Sequence, residues 1–185
     1  MKIANIALLL AVVSTAQAED KISYNSEVSS RTDAAGNVRT NESTESVNKA
    51  GTKVIKSTSE TAAVSKDGTK RDTSVTELTT DPKGLGNKTW AERKTKSTED
   101  QKGSYDRRID SKSVDSTGTG HSKSVEKSIK KNAAGSVKSE FSEKVVNDPK
   151  GMRNKSSEEI DRTVVRDAHG SVVRDDESKI VHDRK

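Results

Sequence analysis

Glycine spacing constrains this chain more than any other feature. Taking one glycine per cluster, they stand at 36, 51, 68, 84, 103, 118, 135, 151 and 170, so the gaps run 15, 17, 16, 19 and then 15, 17, 16, 19 again. Gly86 and Gly120 sit beside their neighbours on this grid. Both prolines fall on it too, because Asp81-Pro82-Lys83-Gly84 returns unchanged as Asp148-Pro149-Lys150-Gly151. Glycine reaches positive φ without steric cost, Asp and Asn bond their own backbone, and Pro presets φ, so each grid point reads as a chain reversal. Asp33-Ala34-Ala35-Gly36-Asn37, Lys49-Ala50-Gly51 and Lys66-Asp67-Gly68 are such turns. In the last of these, Asp-Gly is among the strongest hairpin signals.

The reversals divide the chain into copies. Residues 36–102 align with 103–169 without a gap, matching Ser46-Val47 to Ser113-Val114, Lys56-Ser57 to Lys123-Ser124 and Asn87-Lys88 to Asn154-Lys155. A third copy starts at Gly170 and stops after one segment. The expected organisation is therefore a leading strand at 19–35, repeat 1 at 36–102, repeat 2 at 103–169 and a partial repeat 3 at 170–185. Nine turns separate about ten segments, four to a repeat.

Whether the segments are helices or strands is decided by composition. Val125 and Ile129, or Phe141 and Val145, are spaced to share either a helix face or a strand face. β-branched Val and Ile dominate the apolar set, and Ser and Thr are abundant. Both facts favour the pleated conformation. No segment carries an apolar stripe wide enough for a packed helix. Short links between strands make neighbours antiparallel. Two and a fraction four-stranded copies are too few to close a propeller. The expected fold is all-β: an antiparallel meander of about ten long hairpin-connected strands in a polar, open, single-layer sheet. Its alternative is a largely disordered chain, because after residue 18 only 25 of 167 residues are Val, Ile, Leu or Phe, below the roughly 20% under which composition signals disorder.

In texture the expected sheet resembles the Lys/Glu/Thr-rich single-layer sheet of spirochaete outer surface proteins, with which it shares no motif. The Asp-Ala-Ala-Gly-Asn-Val run at 33–38 is similar to a turn of YD-repeat proteins, whose repeat tyrosines this chain lacks.

Residues 1–18 read as a secretory signal peptide. Lys2 is the positive start, Ile3 to Val13 the apolar run, and Ala16-Gln17-Ala18 a small-x-small cleavage site. The run is shorter than the roughly 20 residues a spanning helix needs. The expectation is an exported chain beginning at Glu19, in the periplasm, at the cell surface or outside the cell. It would have no membrane span and no cysteine for a lipid anchor. With no cysteine anywhere, disulfides, Cys-ligated zinc and thiol catalysis are excluded. Net charge is +5, with acids and bases interleaved along the chain. Arg93, Lys94 and Lys96 make the nearest basic cluster, too short for the concentrated patch of a nucleic-acid binder.

Side chains that could carry chemistry are few and scattered. His121 and His169 stand beside turns at different repeat positions, and with His182 they lack the convergence a metal site needs. Plentiful Asp and Glu have little apolar material around them to build a pKa-shifting pocket. The Asp-rich turns lack the Asp-x-Asp-x-Asp-Gly calcium loop. Gly118-Thr119-Gly120 lacks the rest of a phosphate-binding fingerprint. Sequons at Asn41, Asn87 and Asn154 are what a Ser/Thr-rich chain produces without selection. Trp90 reads as the cap of a small apolar cluster in its own sheet, with sugar or partner binding as the alternative. No catalytic, cofactor or metal residue is assigned.

The expectation is a non-enzymatic repeat protein with a structural or interaction role. Its partners would be further copies of itself, through edge strands, or envelope and matrix components. No small-molecule substrate or cofactor is implied. The alternative is a loosely folded periplasmic polyelectrolyte that binds polyanions.

Overall fold

A computed structural model describes residues 21–82, 88–150 and 155–183. The signal-like segment 1–18, Gly84, Gly151 and the sequons at Asn87 and Asn154 lie outside the described residues. Ten strands follow one another: β1 (Lys21–Thr32), β2 (Val38–Asn48), β3 (Lys53–Val64), β4 (Lys70–Asp81), β5 (Thr89–Glu99), β6 (Tyr105–Val114), β7 (Gly120–Lys131), β8 (Val137–Asp148), β9 (Ser156–Arg166) and β10 (Val172–Asp183). They form one sheet in the order β1-β2-β3-β4-β5-β6-β7-β8-β9-β10, each antiparallel to the next. This is the all-β open meander expected from the turn spacing, and an ordered ladder replaces the disordered alternative. β3, β4 and β5 begin at 53, 70 and 89; β7, β8 and β9 begin at 120, 137 and 156.

Seven five-residue turns share one construction. At the first, Asp33 donates its N–H to Asn37 O at 3.0 Å, and Gly36 donates to Asp33 O at 3.0 Å. The same pair of bonds closes the turns that open at Asn48, Ser65, Asp100, Asp115, Asn132 and Asp167. The fourth residue is always glycine at positive φ, between 76° and 86°. The first residue's side chain stiffens the loop: Asp100 Oδ1 accepts from Lys102 N and Ser104 N at 2.8 Å each, and Asn132 Oδ1 from Ser136 N at 2.9 Å. Ser65 does this differently, donating its hydroxyl to Thr69 O at 3.0 Å.

Lys66-Asp67-Gly68 forms the hairpin that its Asp-Gly pair signals, built as a five-residue turn and not as a two-residue one. The two-residue type needs positive φ at both central residues, whereas no described non-glycine residue has positive φ. Asp67 instead occupies the third position of a five-residue turn and accepts from Thr69 N at 3.1 Å. Such a turn combines a type I bend with a left-handed glycine, and its twist suits the strands it joins.

No described residue is buried, so there is no closed core. Cohesion comes from nine ladders, aided by side-chain pairs across strands. Ser59 donates to the facing Asn41 at 2.9 Å, and Ser124 to the facing Asp110 at 2.8 Å.

The turns set two measurable quantities. Gly170 has φ of +86°, and a Cβ there would meet nothing within 4 Å, so only backbone strain opposes a side chain. Gly170→Ala should cost about 1–2 kcal/mol in denaturant unfolding, and Gly170→Asn less. Asp115 is held down to about 2 by the Thr117 hydroxyl first, then by the N–H groups of Thr119 and Thr117. Asp33, Asp67 and Asp100 are also held below the ordinary carboxylate value, led by the Asn37 amide, the Ser65 hydroxyl and the Ser104 N–H. Groups with lowered folded pKa stabilise fully above their unfolded value and lose that contribution as pH falls through the folded one. Stability should therefore fall between about pH 4 and about pH 2, and Asp115→Asn should flatten that dependence in urea melts.

Candidate functional site

Cross-strand register sorts the side chains onto two unlike faces. One carries Phe141. On it Ile109 faces Val125 and Tyr105 faces Ile129. Phe141 faces Lys127, and so lies diagonal to both Val125 and Ile129, within reach of an aromatic ring. Ile109, Val125 and Ile129 are half-buried under their neighbours, while Phe141 keeps 36% exposure.

The opposite face carries Trp90 and most of the ion pairs in the centre of the sheet. Glu92 stands between Glu77 and Lys112 in one row. Lys94 Nζ reaches Glu92 at 2.7 Å. Arg108 holds Asp110 and the facing Glu126 at 2.7 Å each. Each resolved shift moves its group away from neutrality. Asp110 is lowered, chiefly by Arg108, and Lys94 is raised, chiefly by Glu92. That is the reverse of the tuning a general acid or base requires.

A shallow hollow lies on each face. On the Phe141 face about 350 Å³ opens where Ala91, Ser111 and Ser113 leave room beside Leu78 and Val145. Two of the basic groups on its margin are engaged, Lys123 with Glu143 at 2.9 Å and His121 with Asp115 at 3.5 Å. On the Trp90 face about 780 Å³ lies over Ser43, Ser57 and Ser59, between Glu27 and Glu77. Sequence reasoning missed both hollows. Small residues on adjacent strands are the available signal, but only the register shows that they abut.

The residues singled out by type lie apart in space. His121 lies on β7, His169 within the turn that opens at Asp167, and His182 on β10. No cluster of three or more His, Asp or Glu suited to a metal occurs among the described residues. Trp90 is half-buried between Thr79 and Val114, in keeping with a role in its own sheet. Asn41 accepts from Ser59 rather than projecting alone.

What remains is the pair of edges. Among the described strands, β1 pairs only with β2, and β10 only with β9. In an antiparallel ladder alternate residues turn both backbone groups toward the neighbour. The bond from Asp33 N–H to Asn37 O sets the phase at β1, so Ser26, Val28, Ser30 and Thr32 direct theirs outward. The equivalent bond from Asn132 to Ser136 carries the phase through β8 and β9 to β10. There Asp175, Glu177, Lys179 and Val181 direct theirs outward. Each edge thus presents a row of donors and acceptors one strand long. Each has a bulge, at Lys21/Ser23 in β1 and Val172/Arg174 in β10, and both bulges sit at strand ends.

Comparison with protein-family models, curated proteins and solved structures found no match.

The open faces set the scale of apolar substitutions. Phe141→Ala should cost about 1–2 kcal/mol in denaturant unfolding, because a ring already partly in water loses only part of its transfer energy. A loss of about 3–5 kcal/mol, typical of closed cores, would show that this face is covered in solution.

Proposed function

We propose that this is an exported, non-enzymatic repeat protein with a structural or interaction role in the periplasm, at the cell surface or in the extracellular matrix. The single observation that carries the reading is the pair of open edges on a sheet in which no described residue is buried. Natural sheets blunt such edges with charged side chains, bulges, proline, short strands or cover, and of these β1 and β10 carry charges and terminal bulges. β1 and β10 contain no proline, and their bulges leave the middle of each strand open. A strand supplied by a partner would bond to these rows through its backbone, and the side chains beside them would select it. Export is supported by Lys2, the apolar run from Ile3 to Val13 and Ala16-Gln17-Ala18.

Fractionation with edge variants tests this. Val28 and Val181 point their N–H groups outward, so proline there removes only the outward donor, a placement that edge strands tolerate. Wild-type protein should be recovered outside the cytoplasm with Glu19 at its N-terminus and should be retained with envelope or matrix material. The double variant Val28→Pro/Val181→Pro should keep its β-sheet circular dichroism and lose that retention. Cytoplasmic protein that keeps Met1 would refute export. Equal retention of the two forms would refute the role of the edges.

A further inference from the structure

We infer that the strand accepted at β10 is β1 of a second copy, so that the sheet continues head to tail from molecule to molecule. This junction rests on the edge reading proposed above and names its partner.

The two edges match in polarity. Ten alternating strands leave β1 and β10 antiparallel. A second copy moved alongside in the same orientation therefore presents an antiparallel partner. Lengths agree, since β1 and β10 each span 12 residues. Charge favours unlike edges: over 26–32 β1 holds Glu27 and Arg31, formally 0, while over 175–181 β10 holds Lys179 against Asp175, Asp176 and Glu177, formally −2. Pairing β10 with another β10 would instead bring two acidic strands together.

Hydrogen-bond phase then limits the register. Outward-facing residues of one edge must oppose outward-facing residues of the other, which removes every second alignment. Among those left, placing Val28 opposite Glu177 sets Arg31 against Arg174. A shift of two residues, Val28 opposite Lys179, sets Arg31 against Asp176 and Ser29 against Ser178, with no like charges face to face. Asp176 already binds Arg174 on its own strand, so Arg31 would complete a three-membered row. This register pairs 26–32 with 175–181 and leaves both bulges outside it. It also keeps each face continuous across the junction, because the outward residues of both edges carry their side chains on the Phe141 face.

The chain has no cysteine, so engineered ones report the junction cleanly. Ser29 and Ser178 would face each other at a non-hydrogen-bonded position, where Cα atoms lie about 4.5 Å apart, within disulfide reach. Oxidising a mixture of Ser29→Cys and Ser178→Cys proteins should give the mixed dimer at least about tenfold over either homodimer. The double variant should give a ladder of oligomers on non-reducing gels. Asn25→Cys with Ser178→Cys, out of register, should cross-link at least about tenfold less. Wild-type protein should show a sedimentation mass that rises with concentration without a plateau. Dominant Ser29→Cys or Ser178→Cys homodimers would overturn the inference in favour of closed two-fold pairs. No cross-link in any combination, with Val28→Pro/Val181→Pro still lost from the envelope fraction, would overturn it and leave the edge reading standing with a different partner. No cross-link and no effect of the prolines would remove both.

Discussion

Backbone pairing between successive strands carries this structure. Each ladder satisfies the polar groups of two strands at once, and every interior strand is held on both sides. A net hydrogen bond contributes only about 0.5–1.5 kcal/mol, so the sheet depends on having many of them in long registers, unbroken in the seven ladders from β2 to β9. The apolar contacts help locally, as around Ile109 and Val125, but they are laid on the sheet and do not enclose it.

Such dependence makes the turns decisive. A one-residue slip would move every side chain to the other face, mixing the Phe141 and Trp90 faces. The recurring turn, with Asp or Asn at its head in six of the seven cases and glycine fourth, fixes each register at its start. Surface ion pairs then add little individually. In the row Glu77, Glu92 and Lys112, a like-charged facing pair offsets an unlike one.

Much of this was legible from residues alone. Glycine spacing located the reversals, and Val, Ile and Thr chose strands over helices, because both signals are local. The type of the Asp67-Gly68 turn was not legible, because a dipeptide does not say where in a longer loop it will sit. Nor were the hollows beside Ala91 and Ser57. Those depend on which small residues abut across strands, a relation set by register and twist over the whole sheet. The edges could be anticipated as the first and last segments. Their outward-facing residues needed the hydrogen bonds at Asp33 and Asn132 to fix the phase.

The positions of β1 and β10 on opposite margins also govern how the molecule would answer a pull. Tension applied between them runs along the direction of the interstrand bonds, so every ladder bears the same load in sequence. Bonds arranged this way open like a zipper from one margin, a few at a time, and each released hairpin adds slack before the next gives way. A layer built so would yield gradually under traction and fold back pleat by pleat, where a shear-loaded sheet would hold rigid and then fail at once.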